Sequence, residues 1–121
     1  MFVFILDDNI ERQLALVQWV RMHDAETEFV IADSIDSARE WFRSYRYFDL
    51  MLLDHDLGGR VFVDSNEENT GYQVAKEIVK QGIYYKKAII HTLNYSGAMN
   101  MKDILPSAEV VPIIYLLQSR L

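Results

Sequence analysis

The sequence contains no cysteine. Disulfides and thiolate chemistry are therefore excluded, and the composition suits a reducing compartment. No apolar run approaches the ~20 residues that a membrane-spanning helix needs. No basic region precedes an apolar stretch at the N-terminus, so no signal peptide is expected and the expected location is cytoplasmic. Positive charge is also short: 12 Lys and Arg stand against 18 Asp and Glu, a formal net charge of −6. A surface of that sign repels nucleic acid unless basic residues gather locally. Arg39, Arg43 and Arg46 lie close in sequence, but Asp36 and Glu40 are interleaved among them. They read as a solvated helix face, and no nucleic-acid partner is expected.

What is present is ordinary globular composition over 121 residues, half hydrophobic and 25% charged. That length suits one domain spanning residues 1–121. Short apolar runs bounded by turn residues predict strands over Met1–Leu6, Glu28–Ala32, Leu50–Leu53, Lys87–His91 and Glu109–Ile113. Pro112 is expected to shorten the last of these. Between them, helical spacing predicts helices from Ile10 to about His23, Ser34 to Tyr45, Gly71 to Gln81 and Gly97 to Leu105, with a short last helix in Tyr115–Leu121. Asn9 or Asp8, Ser34 and Thr70 are the expected N-caps, and Gly82 the expected stop of the third helix. In the first helix Ile10, Leu14, Val17 and Met22 are expected to face inward, with Leu16 and Val20 flanking and Trp19 at the edge. The connection Leu57–Asn69 is long for a compact domain, and its Val61-Phe62-Val63 patch is expected to pack on the body or add a small strand.

Strands alternating with helices imply an α/β fold with a parallel sheet covered on both faces. The expected architecture is a flavodoxin-like three-layer αβα sandwich, five parallel strands in the order 2-1-3-4-5. Its first and third strands are neighbours at the switch point, where ligands bind outside the strand ends. Asp7 and Asp8 follow the first strand, Asp54, His55 and Asp56 the third, and His91, Thr92 and Asn94 the fourth. Asp7, Asp8, Asp54 and Asp56 are expected to converge there. A lone Asp in such a place is a helix cap or a solvated strand end. Several together raise one another's pKa unless a cation neutralises them, and oxygen ligands of this kind suit Mg²⁺ or Mn²⁺. The metal set is Asp7, Asp8 and Asp54. The histidines have two readings: buried and bonded to backbone, or brought to the site by a bulge or turn to work as acid and base.

Asp7-Asp8, Asp54, Thr92 and Thr70-Gly71-Tyr72 together resemble the receiver domain of two-component response regulators. The resemblance implies an acidic metal pair, a phosphoacceptor aspartate, a hydroxyl residue and the start of the third helix at these positions. The chain departs from that pattern at Val111, which precedes Pro112 where the family has a lysine, and in the length of the Leu57–Asn69 loop. The departures Leu53-Asp54-His55-Asp56-Leu57-Gly58 and Ile90-His91-Thr92-Leu93-Asn94 are similar to the cyclic-phosphate-processing receivers, a family associated with cyclic nucleotide phosphates and phage-conflict settings. The pair Asp54 and Asp56 also resembles the nucleophile and acid/base of haloacid-dehalogenase phosphatases. The expected function is a metal-dependent phosphoesterase, or a binder of a small phosphate compound. Asp54 would be its nucleophile, Asp56 its acid/base, Thr92 and Asn94 donors to phosphoryl oxygens, and Lys102 or Arg60 candidate cations. Two alternatives stand beside it: a phosphoacceptor receiver of the phosphorelay kind acting through a protein partner, and a non-catalytic binding module. The face of the fourth helix, fifth strand and fifth helix, with Ile113, Ile114, Leu116 and Leu117, is the candidate surface for a protein partner or homodimer.

Overall fold

A computed structural model describes all 121 residues. Strands β1 (Phe2–Leu6), β2 (Glu28–Ala32), β3 (Tyr47–Leu53), β4 (Tyr84–Ile90) and β5 (Glu109–Val110) alternate with helices α1 (Ile10–His23), α2 (Ile35–Ser44), α3 (Gly71–Gln81), α4 (Tyr95–Ile104) and α5 (Ile113–Leu116). Every strand pair is parallel, and the sheet order is β2-β1-β3-β4-β5. Alternate residues along each strand feed opposite faces. Phe4, Leu6, Met51, Leu53 and Ile90 pack under α2, α3 and α4 with Phe42, Val74, Ile78 and Met101. Val3, Ile5, Leu50, Leu52 and Ile89 pack under α1 and α5 with Leu16, Trp19, Val20, Ile113 and Leu116.

Register delivers the polar residues to one edge. Leu6 pairs with Leu53, and Leu53 with Ile90. The next residues extend the ladder, with Asp54 N–H donating to Leu6 O and His91 N–H to Leu53 O. Asp7, Asp54 and His91 therefore stand in one row. They alternate away from Leu6, Leu53 and Ile90, toward the α1 face.

The structure moves several sequence expectations. The inward face of α1 is Leu16, Trp19 and Val20, whereas Ile10, Leu14 and Met22 are exposed. The first turn of α1 turns polar residues inward instead: Gln13 Nε2 donates to Asp7 O at 2.7 Å, and Arg12 reaches Asp7. An apolar count therefore chose the wrong stripe. Strands β3 and β4 both start earlier than expected, because Tyr47 and Phe48 pair with Tyr84 and Tyr85. Helix α4 begins two residues before Gly97, because Asn94 Oδ1 accepts Gly97 N–H as its N-cap. Such a cap is worth about 1 kcal/mol. Strand β5 stops at Val110, ahead of Pro112, and α5 begins at Ile113. Of the Val61-Phe62-Val63 patch only Val63 packs inward; Val61 and Phe62 are exposed, and no extra strand forms there. In α5, Ile113 and Leu116 are core, while Ile114 and Leu117 face solvent.

Candidate functional site

Three carboxylates meet where β1 and β3 end. One oxygen from each of Asp7, Asp8 and Asp54 lies within 4.8 Å of the others. Asp7 is fully buried and Asp54 nearly so. Between them sits a guanidinium that motif spacing did not reveal. Arg12 Nε contacts both Asp7 oxygens at 3.1 and 3.0 Å. Its Nη2 lies 2.9 Å from Asp7, 3.3 Å from Asp8 and 3.4 Å from Asp54. Arg12 lies in the first turn of α1, and Asn9 caps that helix by accepting Arg12 N–H at 2.9 Å. The cap and the charge pairing thus fix the same residue.

The electrostatics follow from burial. Burial and the neighbouring Asp7 charge push Asp54 up from 3.8 to about 7, despite bonds from His55 N–H and Thr92 and the pull of Arg12. The Asp7 hydrogen bond holds Arg12 still more firmly in its cationic form, against the opposing effect of its own burial. His91 is buried beside this group, and its Nε2, 3.9 Å from Asp7 Oδ2, has no hydrogen-bond partner. Burial lowers it to about 4, outweighing the attraction of Asp7, so the ring is neutral at pH 7. A small cavity of about 230 Å³ opens beside the carboxylates, lined by Asp8, Asn9, Arg12, Gly59, Arg60 and Val61.

The remaining predicted residues lie elsewhere. Asp56 does not join the acidic group: β3 ends at Leu53, Asp56 forms an isolated bridge with Thr70, and its side chain turns to the opposite side. There it accepts from Phe62 N–H at 2.7 Å, Val63 N–H at 3.1 Å and Asn94 Nδ2 at 3.0 Å, and meets His55 Nδ1 at 2.9 Å. Burial pushes Asp56 up, but the bonds from Asn94, His55 and the two amides prevail and hold its carboxyl below its usual range. Asn94 Nδ2 is shared between Asp56 and Val63 O, and its oxygen caps α4, so it offers nothing to a phosphoryl group at Asp54. His55 is fully buried on the same side as Asp56. Thr92 alone of these keeps company with Asp54. Lys102 is tied to Pro106 O and Ala108 O near β5, while Arg60 pairs with Glu67 at the rim of the small cavity. Gly71 brings α3 against the end of β3: its N–H donates to His55 O at 2.8 Å, and a Cβ there would lie 1.9 Å from Asp54 O.

Residues 2–107 match the family described as the cyclic-phosphate processing receiver domain. The chain belongs to that family. No curated protein matches this receiver domain. Its fold is similar to that of the phosphorylated cyanobacterial phytochrome response regulator RcpA, at TM-score 0.71 and 16% identity over 97% of this chain and 86% of that one. It is similar also to TrrA of Thermotoga maritima, solved with Mg²⁺-BeF, at TM-score 0.60 and 21% identity over 92% and 84% of the two chains. A third likeness is the Mn²⁺-bound form of the response regulator Rcp1, at TM-score 0.66 and 13% identity over 91% and 79%. The receiver fold and its acidic cluster are thus established for this chain, and no helix is long and apolar enough to cross a membrane.

Proposed function

We propose that this receiver domain engages the phosphoryl group of a small phosphate compound, such as a cyclic nucleotide phosphate, at Asp54, with Mg²⁺ or Mn²⁺ held by Asp7, Asp8 and Asp54. The carrying observation is the ring of three carboxylates closed around one guanidinium beside a cavity that also holds Arg60. The donors fit the metal: all are oxygens, which suit a hard divalent ion, and the cluster already surrounds one positive group. A bound divalent ion supplies charge neutralisation for the phosphoryl oxygens. The chain's own residues do the rest. Asp54, ionised, is the nucleophile or acceptor. Thr92 beside it favours the ionised form. Arg12, on moving off the carboxylates, stands beside the cavity as the cation that Val111 does not provide. The Mg²⁺-BeF complex of TrrA and the Mn²⁺ form of Rcp1 support the metal reading by likeness of fold.

A second reading is favoured by one observation. Asp56 and His55 face away from Asp54, so neither is placed to activate water for a phosphoryl-Asp54. A phosphoacceptor that holds its phosphoryl group and alters a partner's affinity fits that geometry.

The test is ³¹P NMR on wild type and Asp54→Asn. It uses 2′,3′- and 3′,5′-cyclic nucleotides and acetyl phosphate, with Mg²⁺ or EDTA. Metal-dependent ring opening or phosphate release by wild type alone supports turnover. A stable phosphoryl adduct on Asp54 supports the acceptor reading. No metal-dependent change with any compound, and no adduct by intact mass, sinks both.

A further inference from the structure

A second constellation occupies the opposite side of the β3 end, between the long loop and α4. His55 Nδ1 lies 2.9 Å from Asp56 Oδ1, and His55 Nε2 lies 2.8 Å from Ser65 Oγ. Ser65 Oγ also accepts from Asn100 Nδ2 at 2.9 Å. Counting donors fixes the protonation pattern. The Asp56 carboxylate only accepts, so the ring donates Nδ1–H to it; in the neutral ring Nε2 then accepts the Ser65 hydrogen, while Ser65 Oγ accepts from Asn100. This is the order carboxylate, imidazole, hydroxyl, each group holding the next in its working tautomer.

The surroundings fix that order. The His55 ring is fully buried and lies flat against Gly97, where a Cβ would come within 2.5–2.7 Å of Cγ, Cδ2 and Nδ1. Ser65 is held by Gln73 Nε2 donating to its carbonyl at 2.9 Å. Asp56 is anchored by the amides of Phe62 and Val63 and by Asn94. Ser65 opens on a cavity of about 610 Å³ whose wall includes Phe62, Tyr72, Asn94, Ser96 and Asn100. No Lys or Arg lines that cavity, and Asp64 does. A phosphate would enter without a counter-charge and beside a carboxylate, which makes the site unlike the arginine-flanked cavity beside Asp8.

We propose that Asp56, His55 and Ser65 form a nucleophilic triad that hydrolyses an uncharged carboxylic ester bound in this cavity, an activity separate from the phosphate site. Ser65 Oγ bonds to the carbonyl carbon while its proton passes to His55 Nε2, and the carbonyl electron pair moves onto oxygen. Asn100, which lines the cavity and whose Nδ2 donates to Ser65 Oγ in the resting site, would turn an amide hydrogen to that oxygen. The carbonyl re-forms, the ester C–O bond breaks, and His55 returns the proton to the departing alcohol. Water then adds to the acyl-serine. His55 takes its proton, the acyl–Oγ bond breaks, and the proton returns to Ser65. The sum is ester plus water giving acid plus alcohol.

The experiment treats the full chain with diisopropyl fluorophosphate, a neutral reagent for activated serines, followed by intact mass and peptide mapping. The expected result is one adduct, on Ser65, formed equally in Mg²⁺ and in EDTA and absent from Ser65→Ala. Turnover of p-nitrophenyl acetate should fall at least about a hundredfold in Ser65→Ala, since losing a triad member costs more than that elsewhere. No adduct on wild type, an adduct on another residue, labelling that requires Mg²⁺, or undiminished ester turnover in Ser65→Ala each overturns the proposal. The wild-type mapping does not depend on any variant folding. The EDTA arm separates this result from any failure at Asp54.

Discussion

Replacing Asp54 with asparagine should make the metal-free protein more stable at alkaline pH, although Asp54 is the residue on which phosphate chemistry is proposed to depend. Asp54 titrates at about 7 in the folded chain against an ordinary 3.8, because burial and Asp7 oppose its charge. The sign follows from linkage. Below the unfolded value the group is protonated in both states and the folded state bears no charge penalty. As pH rises through the folded value, the native protein is forced to hold the carboxylate, and stability is lost. The gap between the two values is worth about 4 kcal/mol once both states are ionised. Asparagine removes the charge and keeps an oxygen for His55 N–H, which Asp54 accepts at 2.8 Å. It weakens the 3.4 Å approach of Arg12. The net gain expected at pH 8 in EDTA is therefore about 1–3 kcal/mol, or roughly 4–12 °C in Tm for a chain of this size. At pH 4 the gain should vanish. Excess Mg²⁺ should then raise the Tm of wild type and leave Asp54→Asn nearly unmoved, because binding to the native state alone stabilises by mass action. Thermal unfolding by circular dichroism at the two pH values, with EDTA and with Mg²⁺, reads all four cells. A variant no more stable than wild type at pH 8, or one that responds equally to Mg²⁺, would refute the reasoning.

His91 gives the opposite pH signature. Its folded value of about 4 lies below the ordinary 6.5, so its contribution is complete above the unfolded value and is lost as pH falls. His91→Leu should remove about 3 kcal/mol of acid sensitivity between pH 6.5 and 4, visible as a lower midpoint of acid unfolding. At pH 7 it should cost less than about 1 kcal/mol, since Nε2 has no partner to lose; an unchanged acid midpoint counts against a neutral buried ring. Gly71→Ala should be far more damaging. Its Cβ would meet Asp54 O at 1.9 Å and His55 Cα at 2.8 Å, both backbone, so α3 must shift. A loss of about 3 kcal/mol in urea unfolding is expected, at the upper end of overpacking effects, and a loss under 1 kcal/mol would show that α3 moves freely.

Strand order, layer assignment and the meeting of Asp7, Asp8 and Asp54 were legible because each rests on local rules. Apolar runs bounded by turns gave strands, the alternation of elements gave a parallel sheet, and the switch point located the edge. Where those rules assume regular geometry that the chain abandons, they misled. Asp56 was placed with Asp54 on the premise that extended geometry continues, yet β3 ends at Leu53 and the carboxylate turns to the loop. Asn94 looked like a donor to phosphate because its side chain is polar at a strand end, but capping α4 and bonding Val63 and Asp56 consume its groups. The inward face of α1 was misjudged because its first turn is polar and points inward to serve the carboxylates.

By itself the sequence determined which residues reach the carboxyl edge, since periodicity and register are properties of neighbouring residues. Only the tertiary structure decided which of them touch. Arg12 enters the acidic group across a helix–sheet contact, and Ser65 meets His55 across a loop of irregular backbone. The i,i+4 spacing of Asp8 and Arg12 encodes only their own pairing; the reach of Arg12 to Asp54, and the meeting of Ser65 with His55, depend on how a side chain or a loop packs against another element.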